Sequence, residues 1–165
     1  MLPGMRQAFL WFILLALPLS AAEDSGWRDY VNVRFGFKMS YPADLVPSRE
    51  PENNDGREYH TQNKDFSVTA YGHYLVDATL NSLWKDDLKE FGAHITYQRK
   101  SSDWYVISGV KDGTEFYRKV HTKGDRCAVL HFTYSQAKAK EYNPWVEKIV
   151  KSFEPFLKVH YQDAK

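Results

Sequence analysis

The sequence predicts an α+β domain, an antiparallel β-sheet of about six to seven strands flanked by helices. Three observations carry that prediction. Short runs with period-two alternation recur along the chain, separated by turns rich in Gly, Asp and Ser. Two segments break the rhythm with apolar residues at helical spacing. "VISGV", residues 106–110, is apolar at nearly every position, as expected of a strand covered on both sides. Each helix then needs its own sheet surface, which places helices on both faces.

The opening segment, "MLPGMRQAFLWFILLALPLSAAEDSGW", stands apart from the domain. Arg6 supplies a positive start, Ala8 to Leu19 an apolar run, and Ser20-Ala21-Ala22 small residues for cleavage. Residues 1–22 therefore read as a secretory signal peptide, cut between Ala22 and Glu23. The apolar run of 12 residues falls short of the roughly 20 that a spanning helix needs. The expected product is a single domain, residues 23–165, periplasmic or secreted, with no stable membrane span after cleavage.

In "RFGFKMSYP", Phe35, Phe37, Met39 and Tyr41 alternate with small or polar residues, and Pro42 ends this first strand. A loop through Pro47 and Pro51 follows. "REYHT" and "FSVTAY" are two short strands joined by the polar turn "QNKD". "DATLNSLWKDDLKEFG" is a helix, with Leu80, Leu83, Trp84, Leu88 and Phe91 on one face. Asp77 or Thr79 caps its start, and Gly92 gives the left-handed residue past its end. Lys85, Asp86, Lys89 and Glu90 form the solvated side. "ITYQRK", "WYVISGV", "TEFYRKVHT" and "RCAVLHFTY" are four more strands, connected by "SSD", "KDG" and "KGD". "SQAKAKEY" forms a helical turn. In "NPWVEKIVKSFEP" Asn143 is placed as N-cap and Pro144 as first helical residue, with Val146, Ile149, Val150 and Phe153 as the buried stripe.

Composition excludes several function classes. The mature chain keeps all 21 acidic residues and loses only Arg6 of 22 basic ones, so it is neutral. No basic stripe points to nucleic acid. Cys127 is the only cysteine, so no internal disulfide forms, and its apolar run "CAVLHF" predicts burial. The core must therefore rest on aromatic packing.

"PENNDGREYH", residues 51–60, concentrates the polar groups of a possible site. Aligned as a calcium loop on Gly56, it places Pro51 and Gln62 where carboxylates belong, so the calcium reading fails. Asn, Asp and Gly tolerate positive φ, so "NNDG" is a turn that launches the strand. Arg57, Tyr59 and Thr61 then face one way, Glu58 and His60 the other. Loops on a rigid scaffold often carry recognition, which makes Asn54, Asp55, Arg57 and Tyr59 the candidate binding residues.

No metal site is predicted. The only local cluster is His121, Cys127 and His131 on one hairpin. With "KGD" as a three-residue turn, His121 lies opposite Cys127, while His131 sits about 13 Å along the strand from Cys127. Three such groups cannot share an ion, although a His121 and Cys127 pair completed elsewhere stays open. No nucleophile elbow, phosphate loop or zinc-protease helix occurs. No catalytic residues and no cofactor are assigned.

Taken in order, "RFGFKMSYPADL", "ENNDGREY", "WYVISGV", the "FY" of "TEFYRKVHT" and "YNPWVEKIVKSF" resemble the PsbP-like superfamily, from Tyr30 to Phe153. That superfamily is named for an extrinsic subunit of the oxygen-evolving photosystem and includes a nuclear-import factor that binds the GTPase Ran. The resemblance implies a PsbP-like α/β/α sandwich and accessory roles without shared catalysis. The functional expectation is an exported, non-enzymatic binding protein that docks on another protein or envelope component. The alternatives are a periplasmic hydrolase or metal-dependent enzyme using scattered His and carboxylates, and an inhibitor or immunity-type partner of an exported enzyme.

Overall fold

The computed structural model describes residues 26–157, so the expected signal peptide lies outside the described residues. The order is β1 (Trp27–Asn32), β2 (Phe37–Pro42), β3 (Val46–Pro47), β4 (Gly56–His60), β5 (Phe66–Tyr74), α1 (Leu80–Phe91), β6 (Ile95–Lys100), β7 (Trp104–Lys111), β8 (Thr114–Lys123), β9 (Arg126–Ser135) and α2 (Ala139–Ser152). Strands β3 to β9 form one antiparallel sheet in the order β3-β4-β5-β9-β8-β7-β6, and β1 pairs with β2 as a separate hairpin. The fold is α+β, as the alternation and the two helical periods require.

Alternation assigns each strand residue to one of two cores. Toward α2 lie Phe66 and Val68 of β5 and Leu130 and Phe132 of β9, closed over by Tyr142, Val146 and Ile149 of the helix. The β1–β2 hairpin adds Tyr30, Phe37 and Met39 to this layer. Toward α1 lie Tyr105, Ile107, Val120, Cys127 and Val129, with Leu80, Leu83, Trp84, Leu88 and Phe91 packed against them. β9 serves both cores, so Cys127 to Leu130 are buried without interruption.

Three expectations need correcting. The first predicted strand starts at Phe37, because Gly36 turns the chain at φ 68°, and it pairs with β1 outside the main sheet. The pattern did not announce β1, since Asn32 takes a buried position that alternation would assign to an apolar residue. The second correction concerns α2, which begins at Ala139, so Pro144 stands inside the helix and Asn143 does not cap it. Tyr142 is buried and its hydroxyl reaches the Asp65 carboxylate at 2.6 Å, which draws the preceding turn into the helix. The third is register. Lys123 pairs with Arg126 across a two-residue turn, Gly124-Asp125, with Gly124 at φ 62°. His121 therefore opposes Ala128, and His131 opposes Arg118.

The first helix follows its sequence signals. Thr79 is the N-cap: its hydroxyl accepts the Ser82 amide at 3.1 Å, and Ser82 Oγ accepts the Thr79 amide at 2.9 Å. Gly92 closes the other end at φ 45°.

Candidate functional site

Antiparallel order sorts the connections to two ends of the sheet. At one end gather the β1–β2 tip, the loop ahead of β4, the β5–α1 loop and the β6–β7 and β8–β9 turns. They are stitched together. Phe35 packs on Tyr74 with ring centroids 5.2 Å apart, Gly72 N donates to Asp55 O at 2.8 Å, and Leu75 N donates to Asp125 O at 2.7 Å. Gly72 makes the approach possible, because a Cβ there would lie 2.4 Å from the Phe35 ring.

This loop crown exposes apolar side chains that the cores have no room for. Val33 is 86% exposed and Val76 78%, with Val31 and Tyr74 at 49% each. Among the described residues, these are four of the five large hydrophobics left exposed; the fifth is Tyr97 on β6. A basin of about 570 Å³ opens beside them, lined by Leu75, Ala78, Asn81, Lys100 and Thr122. Polar residues rim the apolar surface, the arrangement typical of a contact site.

The candidate loop residues divide between this crown and the interior. Asn54 takes φ 49°, as the turn reading of "NNDG" requires. Its carbonyl accepts from the buried Asn32 side chain at 2.9 Å, and Asn32 Oδ1 accepts the Phe35 amide at 2.9 Å. Asp55 pairs with Arg34 at 2.7 Å and accepts from Asn53 Nδ2 at 2.5 Å. Asn54 and Asp55 thus fix the hairpin tip against the sheet and stand at the crown surface. Arg57 donates to Ser48 O at 3.2 Å and lies 3.7 Å from Glu50. Tyr59 is a core residue, 3% exposed, with its ring 4.1 Å from that of Tyr41. Burial pushes its hydroxyl pKa well above the usual tyrosine range. Of the four, Asn54 and Asp55 lie in the crown loop, Arg57 turns to the segment before β4, and Tyr59 enters the core.

A polar network beneath α1 escaped the sequence reading. Asp87 is 6% exposed and is the one buried residue of the helix. Arg118 Nε donates to Asp87 Oδ2 at 2.7 Å, the Tyr105 hydroxyl donates to the same oxygen, and Arg118 Nη1 donates to Tyr71 OH at 3.0 Å. The signal was present: Asp87 lies four residues after Leu83 and three after Trp84, on the apolar stripe itself. The network fixes how α1 sits on the sheet, and its members are occupied with one another.

The imidazoles do not converge. His131 faces α1, with its ring 6.4 Å from Phe91, while His121 faces the opposite side, 6.2 Å from Phe153. Burial lowers both pKa values to about 4, so both rings are neutral at pH 7. Cys127 shares a core with Val129, on the face away from His121, which removes the two-ligand option left open by the sequence. Burial pushes its thiol up to about 12. Among the described residues no group of three or more His, Cys, Asp or Glu could hold a metal ion, and no helix is long and apolar enough to cross a membrane.

The sequence matches no protein-family model and no curated protein. The structure matches solved ones. Cyanobacterial PsbP from Synechocystis superposes with a TM-score of 0.59 at 12% identity, over 84% of this chain and 99% of that one. The Ran-binding protein Mog1p of Saccharomyces cerevisiae gives 0.52 at 10% identity, over 78% of this chain and 95% of that one. A Bacteroides thetaiotaomicron protein gives 0.51 at 12% identity, over 79% of this chain and 49% of that one. At these identities the likeness speaks for the fold, and the fold is the PsbP-like one.

Proposed function

From the PsbP-like fold as premise, we propose that the protein is an exported, non-enzymatic accessory protein that docks on a protein partner through its loop crown. One observation carries the reading: exposed apolar surface is concentrated on the loops at one end, with Val33 and Val76 almost fully exposed. Leaving such side chains in water costs about 25 cal/mol per Å² of surface that a partner would remove. The rim residues Asn54 and Asp55 supply polar contacts around them. The Ran-binding neighbour supports protein recognition on this scaffold, though a shared fold does not transfer a partner.

The non-enzymatic part rests on geometry. His121 and His131 lie on opposite faces, and the Asp87 carboxylate is committed to Arg118 and Tyr105. Export rests on the leader pattern alone. The test compares the wild-type protein with Val33→Lys/Val76→Lys and with Lys64→Glu, a change at the far end of the sheet, in capture from the native envelope fraction. A stoichiometric protein retained by the wild type and by Lys64→Glu, and lost from the valine variant, is the expected result. Equal retention by all three overturns the crown reading. The amino terminus of the recovered protein should be Glu23; a retained leader contradicts export as a soluble protein.

A further inference from the structure

A second surface lies on the face of the sheet turned away from α1, over β6, β7 and β8. Val106 of β7 belongs to neither apolar core, yet it is only 5% exposed. Register pairs it with Arg99 on β6 and Lys119 on β8, and Trp104 stands two residues away on the same face. The Arg99 guanidinium lies 5.7 Å from the Trp104 ring centroid and the Lys119 ammonium 5.8 Å from it. These three side chains therefore roof Val106 with their apolar parts and hold two positive charges at the surface.

Neither charge is neutralised. Among the described residues, no carboxylate pairs with Arg99 or Lys119. Burial lowers the Lys119 pKa, with no anion to offset it. His121 stands across from Trp104 on the same face, with a buried Nε2 that has no hydrogen-bond partner. Elsewhere on the molecule the exposed cations Lys38 and Lys138 each have a carboxylate at hand. What sets this face apart is the indole: among the described residues, Trp104 is the one ring with two cations over it.

We propose that Arg99, Lys119 and Trp104 form a docking site for an acidic segment of a partner polypeptide, separate from the crown. The two cations stand on strands either side of β7, about 10 Å apart at the backbone. Alternate residues of an extended chain are about 7 Å apart, within reach of both long side chains. An acidic sugar would instead stack on the indole, but both cations already lie over that ring. The occupant that fits is a run of Glu or Asp carboxylates.

The probe is a synthetic hexaglutamate peptide, titrated into the full domain at low salt while the tryptophan indole N–H signals are followed by NMR. Oligogalacturonate of equal charge is the second arm. The expected result is saturable binding that shifts the Trp104 signal and weakens as salt rises. Arg99→Gln/Lys119→Gln should lower the affinity about tenfold or more, which is about 1.4 kcal/mol or more. Arg99→Glu alone, on an exposed edge strand, should weaken binding as well and keeps the test available if the double variant does not fold. Val33→Lys/Val76→Lys should bind the peptide as the wild type does, so failure of the crown reading leaves this one standing. No peptide binding, equal binding by the charge variants, or tighter binding of oligogalacturonate would each overturn the proposal.

Discussion

The two ends of the sheet solve the same problem in opposite ways. At the far end, where β4 turns into β5 and β9 leads to α2, every loop is tied by hydrogen bonds. Asp65 accepts from Thr61 at 2.8 Å, Asn63 at 2.9 Å, Tyr142 at 2.6 Å and Lys138 at 2.5 Å. Ser135 N donates to Asp65 O at 2.9 Å, and Gln136 N to Gly113 O at 2.9 Å. At the crown the backbone is tied just as firmly, but Val33 and Val76 point into water. Satisfied polar loops need nothing further, whereas a rigid loop that presents apolar side chains gains by being covered. Both ends are tied, and under the proposed function the crown is the end left for a partner to cover.

The sharpest way to break that contrast is to remove the node of the far end. Asp65→Ala should lower the unfolding free energy by about 2–4 kcal/mol, because the Tyr142 and Thr61 hydroxyls lose a shared charged acceptor. Denaturant titration measures it, and the folded fraction should still bind at the crown. The Asp65 carboxyl is held well below the usual carboxylate range, first by Lys138 and next by Tyr142. Its stabilisation is therefore present above the ordinary carboxylate pKa and is lost as pH falls through the lower folded value. The variant should lack that acid limb.

A smaller effect comes from the two half-buried imidazoles, His121 toward the crown and His131 toward the far end. Their folded pKa values lie near 4, below the unfolded value of 6.5. As pH falls, the unfolded chain takes protons first. Stability is therefore full above about pH 6.5 and declines until about pH 4. The loss should be about 1–3 kcal/mol in total, discounted for partial solvent screening. Replacing both residues with Gln should flatten the slope in that window; an unchanged slope would show that other groups carry it.

Thr79→Ala removes the cap that starts α1 at the crown and should cost about 1 kcal/mol. The smallest stability effect belongs to Val33→Lys/Val76→Lys, within about 0.5 kcal/mol of the wild type. That pair should nonetheless abolish partner capture. A change silent in stability and large in binding is the signature of the crown end.

Most of the scaffold was legible because local chemistry and tertiary structure agree. The β5 alternation, the nearly unbroken apolar run of β7, the Thr79 cap and the Gly92 stop all say what the fold uses. The misses occur where a distant partner overrides a local signal. Asn143-Pro144 looks like a helix start, yet the Asp65 contact to Tyr142 places the start earlier. Asn32 hides β1 because its role is to bridge to Asn54, 22 residues away. Asp87 stands on the apolar stripe of α1, but its charge partner, Arg118, lies 31 residues on, where a local pattern does not reach. Of the loop residues chosen from sequence, Tyr59 went to the core because alternation in a short strand does not reveal what the β1–β2 hairpin covers.

Site-directed photo-crosslinking in the native envelope tests the division between the two ends most directly, with the reactive side chain placed at Val33 in one protein and at Lys64 in another. The prediction is a single protein adduct from position 33 and none from position 64. Adducts from both positions alike, or from position 64 alone, would contradict it.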